Sequence, residues 1–245
     1  KDISMAEPAK ANITPLESNT SSQLSNENTS DTITQIKNRR SNELVIGLCG
    51  AIGSGVRSLK DSLSVQLEQH GYIVENIRLS ELIADITNNP KQIKQLSGYE
   101  RYTTLQDLGD QLRKDKNNSI VAELAVQEIK VLRQQRFGKT ETESSNAIKN
   151  TKKVAYIINQ IKHPSEIELL NLVYKNNFYL LGLLRTEGER KKNLQDEMIS
   201  DDLITKLIDR DRKSSDKNGQ QVEKCLHLSD YFIQNIDEES QIISS

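Results

Sequence analysis

Short apolar runs and stretches of helical periodicity alternate along most of the chain. The run at 44–49 is typical of a strand buried on both faces of a parallel sheet. A glycine-rich turn follows. Apolar residues then recur at helical spacing until Gly71, and they are Val56, Leu59, Leu63 and Leu67. The pattern predicts a strand, a tight loop and a helix in direct succession.

The same alternation continues toward the carboxyl terminus. A second strand is predicted at 72–79, and further apolar runs predict strands at 154–158, 178–184 and 231–233. Helices are predicted at 100–114, 119–134, 164–174 and 220–228, with charged helices across 185–213. Strands that alternate with helices indicate a three-layer α/β/α fold with a mainly parallel sheet of about five strands, and with ligand chemistry at the carboxyl ends of those strands.

Two segments lack the composition of a packed core. Residues 1–42 contain no glycine and no aromatic residue and are rich in Ser, Thr, Asn and Glu, which predicts a disordered tail. A segment that docks a partner is the alternative. The polar stretch 138–152 is expected to be a surface insertion. Residues 43–236 are therefore predicted to form one folded domain.

Composition and charge exclude some classes of partner but do not identify one. The net charge is −2 and the pI is about 6.0, so no global field draws the protein to nucleic acid or to an anionic membrane. Neither a run of about 18 apolar residues nor a secretory leader occurs, so no membrane partner is expected. Cys49 and Cys225 indicate reduced thiols in a cytoplasmic protein. Because residue 1 is not methionine, we expect the chain to be a fragment.

The turn after the first strand follows the glycine pattern of a P-loop. That pattern is G-x-x-x-x-G-K-[ST], in which backbone N–H groups surround phosphate oxygens and the next helix adds partial positive charge at its amino end. The glycines are present here, so we predict a phosphate-binding loop; a tight turn without a ligand is the alternative. The predicted contacts are Gly50, Ala51, Ile52, Gly53, Ser54, Gly55, Val56, Arg57 and Ser58.

The charged part of the motif is missing. Val56 and Arg57 stand where the motif has its lysine and its Mg²⁺-binding hydroxyl residue, and Ser58 comes one position late. Arg57 or Lys60 is a candidate substitute for the lysine charge. After the third strand, where P-loop kinases commonly have an acidic residue, this chain has Asn159. Because an amide brings no negative charge to hold Mg²⁺, the sequence favours phosphate binding over phosphoryl transfer.

Further segments resemble known P-loop proteins. The stretch 157–170, IINQIKHPSEIELL, is similar to a kinase stretch that reads hydrophobic, Asp, Gly, Ile, Arg, Asn, Pro, any, Glu, Val, Glu, with Asn159 in place of the Asp. Together with Gly109, Arg113 and the segment 209–213, it looks like the dephospho-CoA kinase and deoxynucleoside-monophosphate kinase group. The lysine-free loop and the segments 162–166, 219–222 and 229–232 are more closely similar to the N-terminal P-loop domain of bacterial anti-phage dCTP deaminases. The resemblance covers residues 43–235.

This resemblance implies a second domain. In that family a zinc-dependent deaminase domain follows, which converts dCTP or dCMP to the uracil nucleotide and depletes a DNA precursor of the phage. Its signature, H-x-E with a distant P-C-x-x-C, does not occur in this sequence. We therefore expect residues 237–245 to begin a linker to a missing C-terminal deaminase domain, or to a split partner. Zn²⁺ is expected only there, and the full-length protein is expected to be a homo-oligomer.

The resemblance also suggests roles for basic residues. Arg113 is implied to hold an α-phosphate, with a solvated helix arginine as the alternative. A run of basic residues is either a phosphate-facing lid or a solvated face. Its members are Arg185, Arg190, Arg210, Arg212 and Lys213. His163 is expected to cap the helix that follows it, and neither a catalytic residue nor a metal ligand is predicted.

Three functions stay open on the sequence. The leading one is a regulatory domain that binds a nucleoside triphosphate or a deoxynucleotide, with or without Mg²⁺, and controls an attached anti-phage dCTP or dCMP deaminase. The second is an active kinase that acts on a nucleotide or on a substrate like dephospho-CoA. The third is an interaction module that keeps the fold without a ligand and binds an inhibitory RNA or protein.

Overall fold

A computed structural model describes residues 42–137, 152–212 and 217–235. They belong to one compact unit, Ser41–Ser245. The predicted tail apart from Asn42, the predicted insertion apart from Lys152, and the predicted linker lie outside the described residues. Lys213 lies outside them too.

Within the described residues, five parallel strands form one sheet. In chain order they are β1 (Glu43–Gly50), β2 (Ile73–Arg78), β3 (Val154–Asn159), β4 (Phe178–Leu184) and β5 (Tyr231–Gln234). Their order across the sheet is β2-β3-β1-β4-β5, and every neighbouring pair is parallel. The predicted parallel sheet of about five strands is confirmed.

Helices connect these strands. They are α1 (Val56–Gln69), α2 (Leu79–Asp85), α3 (Pro90–Gln95), α4 (Gly98–Asp115), α5 (Ile120–Phe137), α6 (Pro164–Tyr174), α7 (Glu187–Asp196), α8 (Asp201–Arg212) and α9 (Val222–His227). α2 and α3 were not predicted, because helices of 7 and 6 residues are too short to show a clear helical period. None of the described helices is long and apolar enough to cross a membrane.

Alternation along β1 supplies two cores on opposite faces of the sheet. Val45 and Cys49 belong to one core, which includes residues of α5 and α6. Ile46 and Leu48 belong to the other, which is covered by α1. Successive side chains of a strand point to opposite faces, so helices pack on both sides of the sheet. The three-layer α/β/α architecture of a P-loop kinase-like fold follows.

A smaller core joins the loop after β1 to α7 and α8. Ile52, in the middle of this loop, is only 4% exposed. It packs in one cluster with Leu194 of α7 and with residues of α8. The other buried members of the cluster are Ile199, Ile204, Leu207 and Ile208. Apolar burial thus holds these two helices against the glycine-rich loop at the carboxyl edge of the sheet.

Candidate phosphate-binding site

The loop between β1 and α1 has the backbone geometry that its glycines predict. Gly53 and Gly55 have φ angles of 78° and 90°, in the left-handed region that residues with a Cβ atom rarely occupy. The N–H of Ser54 donates to the carbonyl oxygen of Ala51 at 3.0 Å and closes a tight turn. The loop therefore bends sharply from a central strand into the amino end of α1, where helix N–H groups lack intrahelical acceptors.

Polar side chains from distant parts of the chain contact the loop backbone. The N–H of Ile52 donates to Oδ2 of Asp211 in α8 at 2.7 Å. Asn193 of α7 donates to the carbonyl oxygen of Gly53 at 2.8 Å, and Asn235 after β5 donates to that of Ser54 at 3.0 Å. The loop is thus covered by α7, by α8 and by the segment after β5, and its backbone already holds one carboxylate.

The two candidate substitutes for the motif lysine, Arg57 and Lys60, do not lie on the loop. Val56, at the motif's lysine position, is 2% exposed and packs in the core beneath α1. Arg57 and Ser58 are exposed. Lys60 is buried and pairs with Asp61 at 2.6 Å. Among the described residues, no hydrogen bond or ion pair links Arg57 or Lys60 to the loop.

Lys162, which was not among the predicted site residues, lies at the loop. Lys162 follows β3, and its Nζ lies 2.6 Å from Oδ1 of Asp211 and 3.4 Å from the carbonyl oxygen of Gly50. Lys162 and Asp211 are 9% and 1% exposed. The sequence position of Lys162, just after a central strand, could have identified it, because functional groups of α/β folds lie at the carboxyl edge of the sheet.

Asn159 lies at the end of β3, opposite Leu48 of β1. Its Oδ1 atom is buried without a hydrogen-bond partner among the described residues, as is Oγ of Ser54. An amide and a hydroxyl do not make a Mg²⁺ site, since Mg²⁺ prefers carboxylate or phosphate oxygens, and the nearby Asp211 is already neutralised by Lys162. In the described ranges, no group of three His, Cys, Asp or Glu residues could hold a metal. A Mg²⁺ ion at this place would therefore take its charged ligands mainly from the phosphates of a bound nucleotide.

Two arginines that were expected to face phosphate are paired with carboxylates. Arg113 is 3% exposed and donates to Oε1 of Glu166 through Nε at 3.1 Å and Nη2 at 2.7 Å. Arg210 contacts Asp110 at 2.9 Å and Asp107 at 2.7 Å. Burial raises the pKa of Asp110, although Arg210 and Arg113 act in the opposite direction. These pairs lie beside the candidate site and hold α4 against α6 and α8.

The four remaining members of the expected lid differ in how they lie relative to the loop. The backbone of Arg190, in α7, lies against the loop, since a Cβ atom built on Gly53 would come within 2.6 Å of its carbonyl oxygen. Arg185 lies near Glu189, with 4.0 Å between Nε and the carboxylate, and its Nη1 lies 3.6 Å from a Cβ atom built on Gly55, so its guanidinium group reaches the loop. Arg212 is exposed, and Lys213 is outside the described residues. α7 therefore contacts the loop through the backbone of Arg190 and the side-chain amide of Asn193.

His163 caps α6, as expected. Its Nδ1 accepts the N–H of Ser165 at 3.2 Å, while Glu166 accepts the N–H of His163 at 3.3 Å. Nε2 lies 3.1 Å from the carbonyl oxygen of Lys217, so the neutral ring carries its proton on Nε2. Burial lowers the pKa of His163 below its ordinary 6.5. A proton on Nδ1 would remove the acceptor that forms the cap.

Replacing His163 with asparagine is expected to reduce the loss of stability in mild acid. The folded-state pKa of His163 lies below the unfolded value of 6.5, so its contribution is fully present above that pH and is lost as pH falls through the folded-state pKa. Asparagine still accepts a hydrogen bond at the cap but does not titrate. Urea unfolding from about pH 8 to about pH 5 measures the effect.

The matched control for this prediction is His70→Asn, because His70 is exposed. Its dependence on pH should follow that of the unmodified protein. Parallel curves for His163→Asn and the unmodified protein would show that His163 does not cause the loss.

Comparisons with known proteins give a likeness of fold alone. No known protein family and no curated protein matches the sequence. A shikimate kinase from Bacteroides thetaiotaomicron is 12% identical with a TM-score of 0.42, covering 82% of this chain and 92% of that one. A shikimate kinase from Acinetobacter baumannii, solved with shikimate, is 11% identical with a TM-score of 0.42, covering 82% and 88%. A gluconokinase from Sinorhizobium meliloti 1021 is 12% identical with a TM-score of 0.34, covering 77% and 90%.

Likenesses this distant carry no conclusion about activity. The fold assignment rests on this chain's own strand order, β2-β3-β1-β4-β5, and on the glycine loop that joins β1 to α1. On those two features, the chain has a P-loop kinase-like α/β fold.

Proposed function

We propose that the domain binds the phosphates of a nucleoside triphosphate or a deoxynucleotide at 50–55 and acts as a regulatory module, not as a kinase. One observation carries the proposal: the loop backbone holds an oxyanion, since the N–H of Ile52 donates to the Asp211 carboxylate at 2.7 Å. Gly53 and Gly55 give the loop a shape that lets further N–H groups approach a ligand.

The arrangement supports binding better than phosphoryl transfer. Transfer depends on cations and metal ions that neutralise charge as it moves between oxygens. Val56 cannot supply that charge from the core, and Asn159 cannot hold Mg²⁺ as a carboxylate does. Binding alone does not need these groups, because backbone N–H groups and the amino end of α1 attract an anion without a catalytic cation or metal ion.

The active-kinase alternative has one observation in its favour. Lys162 brings an ammonium group to 3.4 Å from the carbonyl oxygen of Gly50, at the start of the loop. A lysine there is placed to neutralise a ligand's charge although it comes from a different part of the chain. The two functions differ in turnover, because only the kinase transfers a phosphoryl group at an appreciable rate.

The regulatory role rests on the resemblance to anti-phage dCTP deaminases. We propose that the domain belongs to a longer, homo-oligomeric cytoplasmic protein, whose zinc-dependent deaminase domain is inactive or active according to what the P-loop domain binds. An effector that binds the two states with affinities different by about 1–3 kcal/mol would suffice. An inhibitory RNA or protein is a second class of effector on this proposal.

Replacing Gly53 with valine is expected to weaken nucleotide binding by at least about 100-fold, or roughly 2.7 kcal/mol. A β-branched residue does not tolerate the φ of 78°, so the loop changes shape and its N–H groups turn away from the phosphates. The new Cβ atom would also lie 2.6 Å from the carbonyl oxygen of Arg190. Isothermal titration calorimetry with a panel of ribonucleotides and deoxynucleotides measures the loss.

Gly188→Ala is the matched control, because a Cβ atom at Gly188 meets nothing within 4 Å. This variant should bind as the unmodified protein does. Equal affinities for Gly53→Val and Gly188→Ala would contradict binding at the loop. In the longer protein, the same pair of variants tests regulation by measuring how effectors change the rate of dCTP conversion. If Gly53→Val leaves that response unchanged, the domain is a scaffold and not a regulator.

A further inference from the structure

We propose that the backbone N–H of Ile52 and the ammonium group of Lys162 form one oxyanion subsite for a phosphate group of the ligand, and that Asp211 occupies this subsite as an internal substitute. The inference rests on the proposed phosphate binding and names the donors that carry it. It also identifies the group that the ligand must displace.

The two oxygens of the Asp211 carboxylate divide between the two donors. Oδ2 accepts from the N–H of Ile52 at 2.7 Å, and Oδ1 accepts from Nζ of Lys162 at 2.6 Å. Both distances are those of strong hydrogen bonds to a charged acceptor. A phosphate also presents adjacent anionic oxygens, so a pair of donors that fits a carboxylate has the charge and the hydrogen-bond character to accept phosphate.

Lys162 gives this subsite the charge that the glycine motif lacks. Its Nζ lies 3.4 Å from the carbonyl oxygen of Gly50, so the ammonium group reaches the first residue of the loop. The lysine is 9% exposed, so the surrounding residues hold its side chain in place. In this arrangement the cation comes from the segment after β3, while Val56, at the usual lysine position, fills the core.

Displacement of Asp211 would also affect the helices above the loop. Asp211 lies in the last turn of α8, and α8 shares an apolar cluster with α7 and Ile52. Asn193 of α7 donates to the carbonyl oxygen of Gly53 at 2.8 Å. A phosphate that takes the place of the Asp211 carboxylate therefore separates α8 from the loop at one polar contact and shifts its packing, which gives the bound state a different surface.

Removing the internal carboxylate should make the subsite available. The full chain carrying Asp211→Ala is expected to bind inorganic pyrophosphate at least about tenfold more tightly than the unmodified chain, because the ligand no longer competes with an attached anion. Adding Lys162→Met to Asp211→Ala should abolish this gain. Calorimetry at constant ionic strength measures all three proteins. Asp209→Ala is the matched control, since Asp209 is an exposed aspartate of the same helix.

A second measurement on the unmodified chain covers the case in which Asp211→Ala does not fold. Hydrogen–deuterium exchange is measured with and without saturating ATP. With ATP, the amides of α8 should exchange faster. The N–H of Ile52 should stay protected, because phosphate replaces Asp211 as its hydrogen-bond acceptor. Faster exchange at Ile52, or no change in α8, would overturn the inference.

The outcomes separate this inference from the proposed function. Nucleotide binding that depends on Gly53, with pyrophosphate affinity unaffected by Asp211→Ala, would overturn the subsite and leave the proposed function standing. A gain with Asp211→Ala that survives Lys162→Met would overturn the role of Lys162. An absence of binding of nucleotide or pyrophosphate to any of these proteins would overturn both, and the Lys162–Asp211 contact would then be a structural ion pair only.

Discussion

Glu166→Ala is expected to destabilise the domain by about 3–5 kcal/mol, the usual cost of breaking a buried ion pair by removing one partner. Glu166 is 0% exposed and accepts two hydrogen bonds from Arg113. It also accepts the N–H of Lys162 at 3.0 Å. The alanine variant leaves the guanidinium group of Arg113, which is 3% exposed, without its closest carboxylate. Urea unfolding at neutral pH measures the change.

Glu168→Ala is the control, because Glu168 lies in the same helix and is exposed. It should change stability by less than about 0.5 kcal/mol, as surface substitutions usually do. Similar values for the two variants would mean that Glu166 does not hold Arg113. Arg113 would then be available as the α-phosphate ligand that the kinase resemblance implies.

Phosphoryl transfer from ATP to any nucleotide is expected to run at least about 10⁴-fold slower than the 1–100 s⁻¹ typical of kinases. The reason is the loss of two electrostatic contacts, each of which typically contributes about 10²–10³-fold to the rate. One is the motif lysine, replaced by the buried Val56, and the other is the carboxylate, replaced by Asn159. Single-turnover assays with radiolabelled ATP and a panel of acceptors measure the rate.

A rate within the ordinary kinase range would make the active-kinase function correct. In that event Lys162 is the residue that supplies the missing charge, since it lies 3.4 Å from the carbonyl oxygen of Gly50. Lys162→Met should then abolish turnover. Arg57→Met, which changes an exposed side chain, should leave it intact.

The sequence was sufficient for the sheet and for the glycine loop. The three central strands β1, β3 and β4 are short apolar runs, because a central parallel strand is buried on both faces and tolerates few polar residues. The loop was recognisable because positive φ angles at Gly53 and Gly55 need glycine, and glycine is visible in the sequence. Helices α2 and α3 were missed because short helices depend on tertiary packing more than on their own pattern.

The side chains around the loop could not be predicted in the same way. Asp211, Asn193 and Asn235 contact loop residues that lie 159, 140 and 181 positions away in the sequence. Such contacts follow from how α7, α8 and β5 pack, which no local pattern encodes. The expected roles of Arg113 and Arg210 came from resemblance, and no local pattern indicated that Glu166 would pair with Arg113 or that Asp107 and Asp110 would pair with Arg210.

Direct titration of the unmodified chain with nucleotides tests the central claim, phosphate binding at the glycine loop. Calorimetry across ribonucleoside and deoxynucleoside mono-, di- and triphosphates is predicted to give saturable binding of at least one ligand. Affinity should rise with the number of phosphates, because the backbone of 50–55 and Lys162 recognise phosphate oxygens. The corresponding unphosphorylated nucleoside should bind far more weakly. If no ligand of the panel gives a heat of binding, the claim is contradicted, and the loop is a tight turn in a ligand-free module.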